Sequence, residues 1–291
     1  LYNCGPILEG QPASHPLTRV VDSVETARAA VQYTADKGFD CVKVYDHLGA
    51  DRFEDVLQAA QQARLPVLGH VPEAVGWERA VHTFKSIEHL SGYLDSHQAR
   101  YTVPPRDWER AFRMTAHAGV FHCPTIALWA EHAPYEGFEQ VKANPRYAYV
   151  PPMTQLLWEA AAKRFYTVDY GDKAGYQQRM TQLAQRMTLA MHEAGVKLLV
   201  GTDTNMAGVF PGISTLKEMQ HLVDAGISNQ ETLKIATWNA ADYFGDTATQ
   251  GTLAAGKAAN LLVLEANPLV HMKALEETVG VFTQRRWWSR Q

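Results

Sequence analysis

Two histidines that follow two short apolar runs constrain this chain more than any other feature. His70 follows the run at residues 65–69, and His89 follows a second run around Ile87, with a helix-like segment at roughly 74–84 between them. The pattern predicts a strand, a helix and a second strand, with an imidazole at the same end of both strands. The carboxyl ends of parallel strands meet at one edge of a sheet, where functional sites are built. Two imidazoles there can converge on one metal ion.

Two further apolar runs carry a charged residue. Lys43 lies inside the run DCVKVY at residues 40–45, and Asp203 ends the run KLLVGTDT at residues 197–204. A lysine within a β-branched strand is costly to bury unless it has a partner. A single histidine after an apolar run is more often an ordinary boundary residue than a ligand, so the prediction of a site depends on all four residues together.

The order of the apolar runs predicts an α/β fold. The chain has 291 residues, of which 46% are hydrophobic and 20% are charged, enough for one large core. Strand-like and helix-like segments alternate, with six strands expected near residues 4, 43, 68, 87, 123 and 200. A closed barrel of eight parallel strands fits this rhythm, with two strands missing on the N-terminal side. We expect a loop from about residue 10 to residue 21.

Composition excludes several classes of partner. The net charge is −4, with acidic and basic residues interspersed, which argues against nucleic-acid binding. No run of about 18 apolar residues is present, so no membrane span is expected. The three cysteines, an odd number in strand-like runs, are interpreted as small core residues and not as a disulfide framework or a zinc site.

Local signals predict helix starts and one insertion. Helices are expected to begin near Ser23, at Asp51 with Glu54 completing a capping box, and at Ser228 with Glu231 completing another. Residues 129–177 are rich in aromatic residues and proline and interrupt the alternation. This insertion could line a substrate pocket, or its aromatic side chains could simply bury one another.

Five short motifs, taken together, resemble a known family. They are VKVY at Lys43, GHVP at His70, SIEHL at His89, CPT at Thr125 and LLVGTDT at Asp203. In this order they resemble the amidohydrolase superfamily of metal-dependent (β/α)8 TIM-type barrels, and within it the imidazolonepropionase-like and Xaa-Pro dipeptidase-like branch. The resemblance implies a barrel at residues 1–246, with the insertion inside it, and the C-terminal part of a small β-sandwich at residues 247–291.

The resemblance also implies a metal site. Lys43 would be carboxylated and bridge two divalent ions, His70 and His89 would bind one ion, and Asp203 would bind the other and shuttle protons. Zinc is the first choice for imidazole and carboxylate ligands, with manganese, cobalt or iron as alternatives. Metal-activated hydroxide would then hydrolyse an amide or peptide-like C–N bond.

The implied substrate is a small molecule, such as a dipeptide, an acyl amino acid or a cyclic amide. Four residues near the proposed ligands are candidate substrate contacts, and an oligomer is compatible with the sequence. These candidates are Tyr45, His47, Thr125 and Met206.

Two other functions remain open at this point. Lys43 could act uncarboxylated, as the Schiff-base lysine of an aldolase-like barrel, because apolar surroundings activate a lysine amine. Alternatively, the barrel could bind a ligand or a partner without turnover. Borohydride trapping with a carbonyl substrate would identify the first function, and chelation would separate the second from a metal-dependent hydrolase.

One departure from the family pattern concerns its first barrel strand. The family carries a His-x-His pair there, and no His-x-His occurs in this sequence. We therefore interpret the chain as a fragment that offers the part of the site made by Lys43, His70 and His89, with one ion or none.

This interpretation predicts low or no amidase activity for the chain by itself, because the ligands of the second ion would be missing. Amidase activity and metal stoichiometry, measured on this chain and on an N-terminally extended form, check the prediction. Equal activity in the two forms would contradict it.

Overall fold

The computed structural model describes residues 2–15, 17–96, 98–131, 138–165, 172–204 and 206–290. The chain forms two compact units. The first contains residues 1–123 and 193–197, and the second contains residues 124–192 and 198–291.

The first unit is built on a parallel β-sheet. Seven strands have the order β2-β1-β3-β4-β5-β8-β9, and the pairs from β2 to β8 are parallel. Strands β6 and β7 form a separate antiparallel pair. The strands are β1 (Cys4–Glu9), β2 (Thr18–Val20), β3 (Cys41–Val44), β4 (Val67–Gly69), β5 (Ser86–Glu88), β6 (Leu94–Asp95), β7 (Arg100–Tyr101), β8 (Phe121–Cys123) and β9 (Lys197–Leu198), of which Lys197 belongs to this unit.

Helices follow the strands in the order that the sequence predicts, which gives the expected α/β class. Ser23 caps the first helix by accepting the Thr26 backbone N–H, as its position predicts. The helix expected at 74–84 is only one turn long. The helices are α1 (Val24–Asp36), α2 (Ala50–Ala63), α3 (Trp77–Ala80) and α4 (Trp108–Ala118).

Three expectations for the first unit are wrong. The segment expected to be a loop at 10–21 contains β2, which adds to the sheet beside β1. Helix α2 begins after Gly49 without a side-chain cap, so Asp51 lies within the first turn and makes no capping box. Cys4 and Cys41 form a disulfide, because the parallel pairing of β1 with β3 places them opposite each other, 4.5 Å apart at Cα. Cys123 is buried as expected.

Apolar side chains of the sheet and of α1, α2 and α4 form the core of the first unit. Phe53 on α2 is fully buried and its ring lies 5.7 Å from that of Phe84. Other residues with no more than 1% exposure are Leu8, Val31, Val42, Val44, Val56, Ile87 and Phe112.

The second unit is mainly helical and ends in a small antiparallel sheet. Ser228 caps its helix by accepting the Glu231 N–H, which confirms half of the predicted capping box. The sheet has the order β10-β11-β12. The elements are α5 (Ile126–Glu131), α6 (Glu139–Ala143), α7 (Pro152–Phe165), α8 (Lys173–Glu193), α9 (Ile213–Asp224), α10 (Asn229–Lys234), α11 (Ala240–Phe244), β10 (Leu261–Leu264), β11 (Thr278–Thr283) and β12 (Arg286–Ser289).

Among the residues that the structure describes, no helix is both long and apolar enough to cross a membrane.

The buried position of Phe53 predicts a large loss of stability on truncation. Phe53→Ala leaves a cavity between α2 and its neighbours and should lower the free energy of unfolding by about 3–5 kcal/mol. Gln58→Ala, an exposed site on the same helix, is the control and should change it by less than about 0.5 kcal/mol. Urea unfolding followed by circular dichroism measures both, and equal midpoints for the two variants would show that α2 does not pack as described.

Candidate functional site

The register of three parallel strands brings the candidate residues of the first unit to one edge of the sheet. Lys43 lies opposite Leu68, Val44 lies opposite Gly69, and Gly69 lies opposite Ile87. The residues that follow β3, β4 and β5 therefore emerge at the same edge. They include Tyr45, Asp46, His70 and His89.

Gly69 allows β4 to deliver His70 to this edge. Its φ is +128°, a value that L side chains rarely adopt, and a Cβ atom there would collide with the carbonyl oxygen of Val44. That same oxygen accepts the backbone N–H of His70 at 3.0 Å. A glycine is thus required where β4 ends.

The His70 ring is held on two sides. It stacks on the ring of Tyr45, with centroids 3.8 Å apart, and its Nδ1 lies 3.0 Å and 3.1 Å from the two carboxylate oxygens of Asp46. A carboxylate accepts hydrogen bonds, so Nδ1 carries a proton, and in the neutral form of the ring Nε2 has a lone pair. Nε2 is buried and has no hydrogen-bond partner among the described residues.

His89 lies next to His70. The two ring centroids are 5.0 Å apart and the rings meet edge to face. The backbone N–H of His89 donates to the carbonyl of Cys123 at 2.9 Å, which fixes the chain as it leaves β5. His89 and Leu90 have φ of 59° and 57°. Two consecutive non-glycine residues in the left-handed region are strained, and such strain is concentrated at functional sites.

Lys43 belongs to the same cluster. Its Nζ lies 5.6 Å from the centroid of the Tyr45 ring. Burial raises the pKa of the Glu88 carboxyl, even though a hydrogen bond from Ser86 and electrostatic interactions with Lys43 and His70 act in the opposite direction. The first unit therefore brings together three of the predicted site residues, Lys43, His70 and His89.

Asp46 is an ionised carboxylate in this setting. Burial alone would raise its pKa, but the hydrogen bond with His70 and the charges of His70, His47 and His89 outweigh burial, so the pKa is lowered. An aspartate on Nδ1 of a histidine fixes the ring orientation and strengthens Nε2 as a ligand.

These features fit a divalent metal ion at His70 and His89. The buried Nε2 of His70 has no other partner among the described residues, its tautomer suits ligation, and a second imidazole lies beside it. In the described part of the chain, no group of three or more histidine, cysteine, aspartate or glutamate side chains is arranged to hold a metal. Within the described ranges, a further ligand to such an ion would come from another kind of group, and a carboxylated Lys43 is one.

Three further candidate residues, Thr125, Asp203 and Met206, lie in the second unit. Asp203 has a φ of 57° and its carbonyl accepts the Met206 backbone N–H at 3.0 Å. Thr125 is buried, has a φ of 50° and directly precedes α5.

The described aromatic side chains of the insertion pack mainly on one another. Trp158 is fully buried, and its ring contacts Tyr147 and Phe210, with centroids 6.3 Å and 5.6 Å away. Val141 and Val150 complete this cluster. The contacts favour mutual burial over a pocket wall for these residues. Three tyrosines of the insertion and the Phe165 side chain lie outside the described part, the tyrosines being Tyr135, Tyr166 and Tyr170.

Sequence reasoning missed three carboxylates near this edge of the sheet. Asp46 binds His70, Glu88 lies near Lys43, and Glu9 at the end of β1 binds His47. The sequence did carry a signal for these carboxylates, since each of them ends or directly follows an apolar run. Their partners lie 24 to 45 residues away in the chain, so the contacts depend on the strand pairing.

The comparison with protein families decides the classification. Residues 3–285 match the family described as the Amidohydrolase family. The chain belongs to this family. The resemblance that the five motifs suggested is thereby confirmed.

Individual relatives of this amidohydrolase agree with the assignment. The ochratoxinase of Aspergillus niger is 27% identical over an alignment that covers 90% of this chain and 48% of the ochratoxinase. The chain thus spans about half the length of the curated relatives it matches.

Solved structures share the fold. A bottromycin amidohydrolase superposes with a TM-score of 0.74 at 26% identity, covering 97% of this chain and 63% of that one. A putative prolidase from Bifidobacterium longum superposes with a TM-score of 0.67 at 22% identity, covering 99% of this chain and 65% of that one.

The buried His122 generates a prediction about acid stability. It is fully buried in β8, its ring lies 5.2 Å from that of Tyr93, and neither ring nitrogen has a partner among the described residues. Burial lowers the pKa of His122 to about 3. As the pH falls below about 6.5, His122 becomes protonated in the unfolded chain but not in the folded chain. The neutral His122 therefore favours the folded state fully above pH 6.5, and the free energy of unfolding decreases as the pH falls towards 3.

His122→Phe should remove this dependence. Relative to the parent, the variant should gain about 2 kcal/mol in free energy of unfolding between pH 7 and pH 5, because the parent loses that amount over the same interval. Urea unfolding at both pH values measures the difference. His82→Phe, at an exposed position, is the control, and parallel pH profiles for the parent and His122→Phe would refute the prediction.

Proposed function

We propose that this protein is a metal-dependent hydrolase of amide or peptide-like C–N bonds in small substrates. The observation that carries the proposal is Nε2 of His70, which is buried, lacks a partner among the described residues and lies beside His89. The family membership supports hydrolysis as the type of reaction. The names of two similar proteins, an ochratoxinase and a bottromycin amidohydrolase, agree with hydrolysis of an amide-type bond.

Each residue of the cluster has a defined task in this proposal. His70 and His89 would hold the ion through ring nitrogens, and Lys43, once carboxylated, would supply an oxygen ligand in place of a positive charge. Asp46 keeps the proton on Nδ1 of His70. Zinc is the proposed metal, and when bound it lowers the pKa of water and polarises a carbonyl.

Asp203 is the proposed general base and acid, by its match to the family motif. Its carboxylate would accept a proton from the attacking water and then donate it to the leaving nitrogen. Thr125 and Met206 remain proposed substrate contacts, and Tyr45 would act mainly by supporting His70, on which it stacks.

Metal binding tests the proposal without requiring a known substrate. His70→Ala should abolish tight zinc binding, because it removes a ligand, and Asp46→Asn should weaken zinc affinity by about 10–100-fold, because it removes the partner that orients this ligand. Competition with a chromogenic chelator measures the affinities, and elemental analysis gives the stoichiometry.

The matched control is His82→Ala, since His82 is an exposed histidine of the same unit. It should bind zinc like the parent. If His70→Ala and the parent bind zinc equally, the site lies elsewhere. Hydrolysis of acyl amino acids that resists exhaustive chelation, or covalent trapping of Lys43 by borohydride with a carbonyl compound, would favour the alternatives over a metal-dependent hydrolase.

A further inference from the structure

A second polar cluster lies at the same edge of the sheet, around a buried carboxylate. Glu9 is the last residue of β1 and its side chain is 0% exposed. It accepts the Ser14 backbone N–H at 2.9 Å, the Ser14 hydroxyl at 2.5 Å and the His47 backbone N–H at 3.3 Å. A buried carboxylate with this many donors is held in one position.

The His47 side chain contacts the Glu9 carboxylate. Its Nδ1 lies 3.2 Å from the Glu9 carboxylate and 2.7 Å from the carbonyl oxygen of Pro12. Both atoms only accept hydrogen bonds, so Nδ1 must carry the proton. When the His47 ring is protonated this contact is an ion pair, and the ring then carries a charge opposite to that of the Glu9 carboxylate.

The second ring nitrogen is left for a ligand. With Nδ1 used by Glu9 and Pro12, Nε2 is the remaining nitrogen of a side chain that is 34% exposed, and in the protonated form of the ring it is a charged N–H donor. The loop at residues 10–14 packs against the backbone of His47. This approach requires glycine at position 10, since a Cβ atom there would collide with the carbonyl oxygen of His47.

His47 is also near the proposed metal ligands. It follows Asp46, whose carboxylate holds His70, and the charges of His47, His70 and His89 all act on Asp46. His47 and the two imidazoles thus follow neighbouring strands and emerge at the same edge of the sheet.

We propose that Glu9 and His47 form a subsite for the free carboxylate of the substrate, with His47 as the binding residue and Glu9 as the positioning residue. This inference rests on the proposed hydrolase function and makes the substrate class narrower. Acyl amino acids and dipeptides, which carry a free carboxylate, are then preferred over cyclic or blocked amides, which do not.

Matched substrates test the subsite in the zinc-loaded protein. N-acetylated amino acids and dipeptides are compared with the same compounds carrying a C-terminal carboxamide. His47→Gln should raise KM for the carboxylates about tenfold or more, as expected for the loss of a charged hydrogen bond. The kcat values and the KM for the carboxamides should stay nearly unchanged, and Glu9→Gln should have a smaller effect in the same direction.

Two exposed residues of the same unit provide the matched controls, His82→Gln and Glu25→Gln. Circular dichroism establishes that each variant is folded, and His47→Gln decides the matter if the substitution at the buried Glu9 prevents folding. A parallel change for carboxylates and carboxamides, or no change for either, overturns the subsite.

Direct binding separates this inference from the proposed function. If the parent neither binds zinc nor hydrolyses any of the compounds, the hydrolase proposal fails for this chain. Binding of N-acetylglycine and N-acetylglycinamide is measured by calorimetry in either case. A preference for the carboxylate that His47→Gln abolishes supports the subsite. Equal binding of the two compounds by the parent refutes it.

Discussion

The candidate site depends on the register of three parallel strands. Val44, Gly69 and Ile87 are neighbours across β3, β4 and β5, so the side chains that follow these strands share one edge. A shift of one residue in β4 would turn His70 to the other face of the sheet, because side chains alternate along a strand. The buried Val42, Val44 and Ile87 oppose such a shift, since it would exchange apolar and polar side chains across the core. The core therefore sets the geometry of the site.

Carboxylates at this edge make a cluster of histidines possible. Imidazoles that share a buried region repel one another when protonated, and the hydrogen bond from His70 to Asp46 fixes which nitrogen holds the proton. Glu9 acts on His47 in a comparable way, with its other donors coming from Ser14. Each histidine thus uses Nδ1 to contact a carboxylate, but the position of Nε2 differs. Nε2 is buried at His70, whereas at His47 it belongs to a partly exposed ring.

The sequence predicted those features that local pattern determines. All six expected strands are present, because each is an apolar run bounded by turn residues, and α1 begins after Ser23 because that side chain can cap it. Strand β2 was missed because three residues within a proline-containing loop carry no periodic signal. The disulfide was missed because Cys4 and Cys41 are 37 residues apart and become neighbours only through strand pairing.

The same limit applies to the site. Lys43, His70 and His89 could be predicted because each ends or interrupts an apolar run and matches a family motif. Asp46 and Glu9 could not, because their roles depend on contacts with His70 and His47 that the fold creates. Asp203 lies in the second unit and stays a prediction that rests on its motif.

Local strain at this edge shows how the stability of the sheet supports the site. Gly69 adopts a φ that other residues avoid, and His89 and Leu90 adopt left-handed conformations without being glycines. Such conformations cost of order 1–3 kcal/mol each and persist only where the surrounding contacts determine them. Leu90 is fully buried and the N–H of His89 is bonded to β8, so packing and one backbone hydrogen bond oppose the strain. A glycine at 89 would relieve the strain but would remove the imidazole, so a second histidine at this edge requires the surrounding contacts to hold the strained backbone.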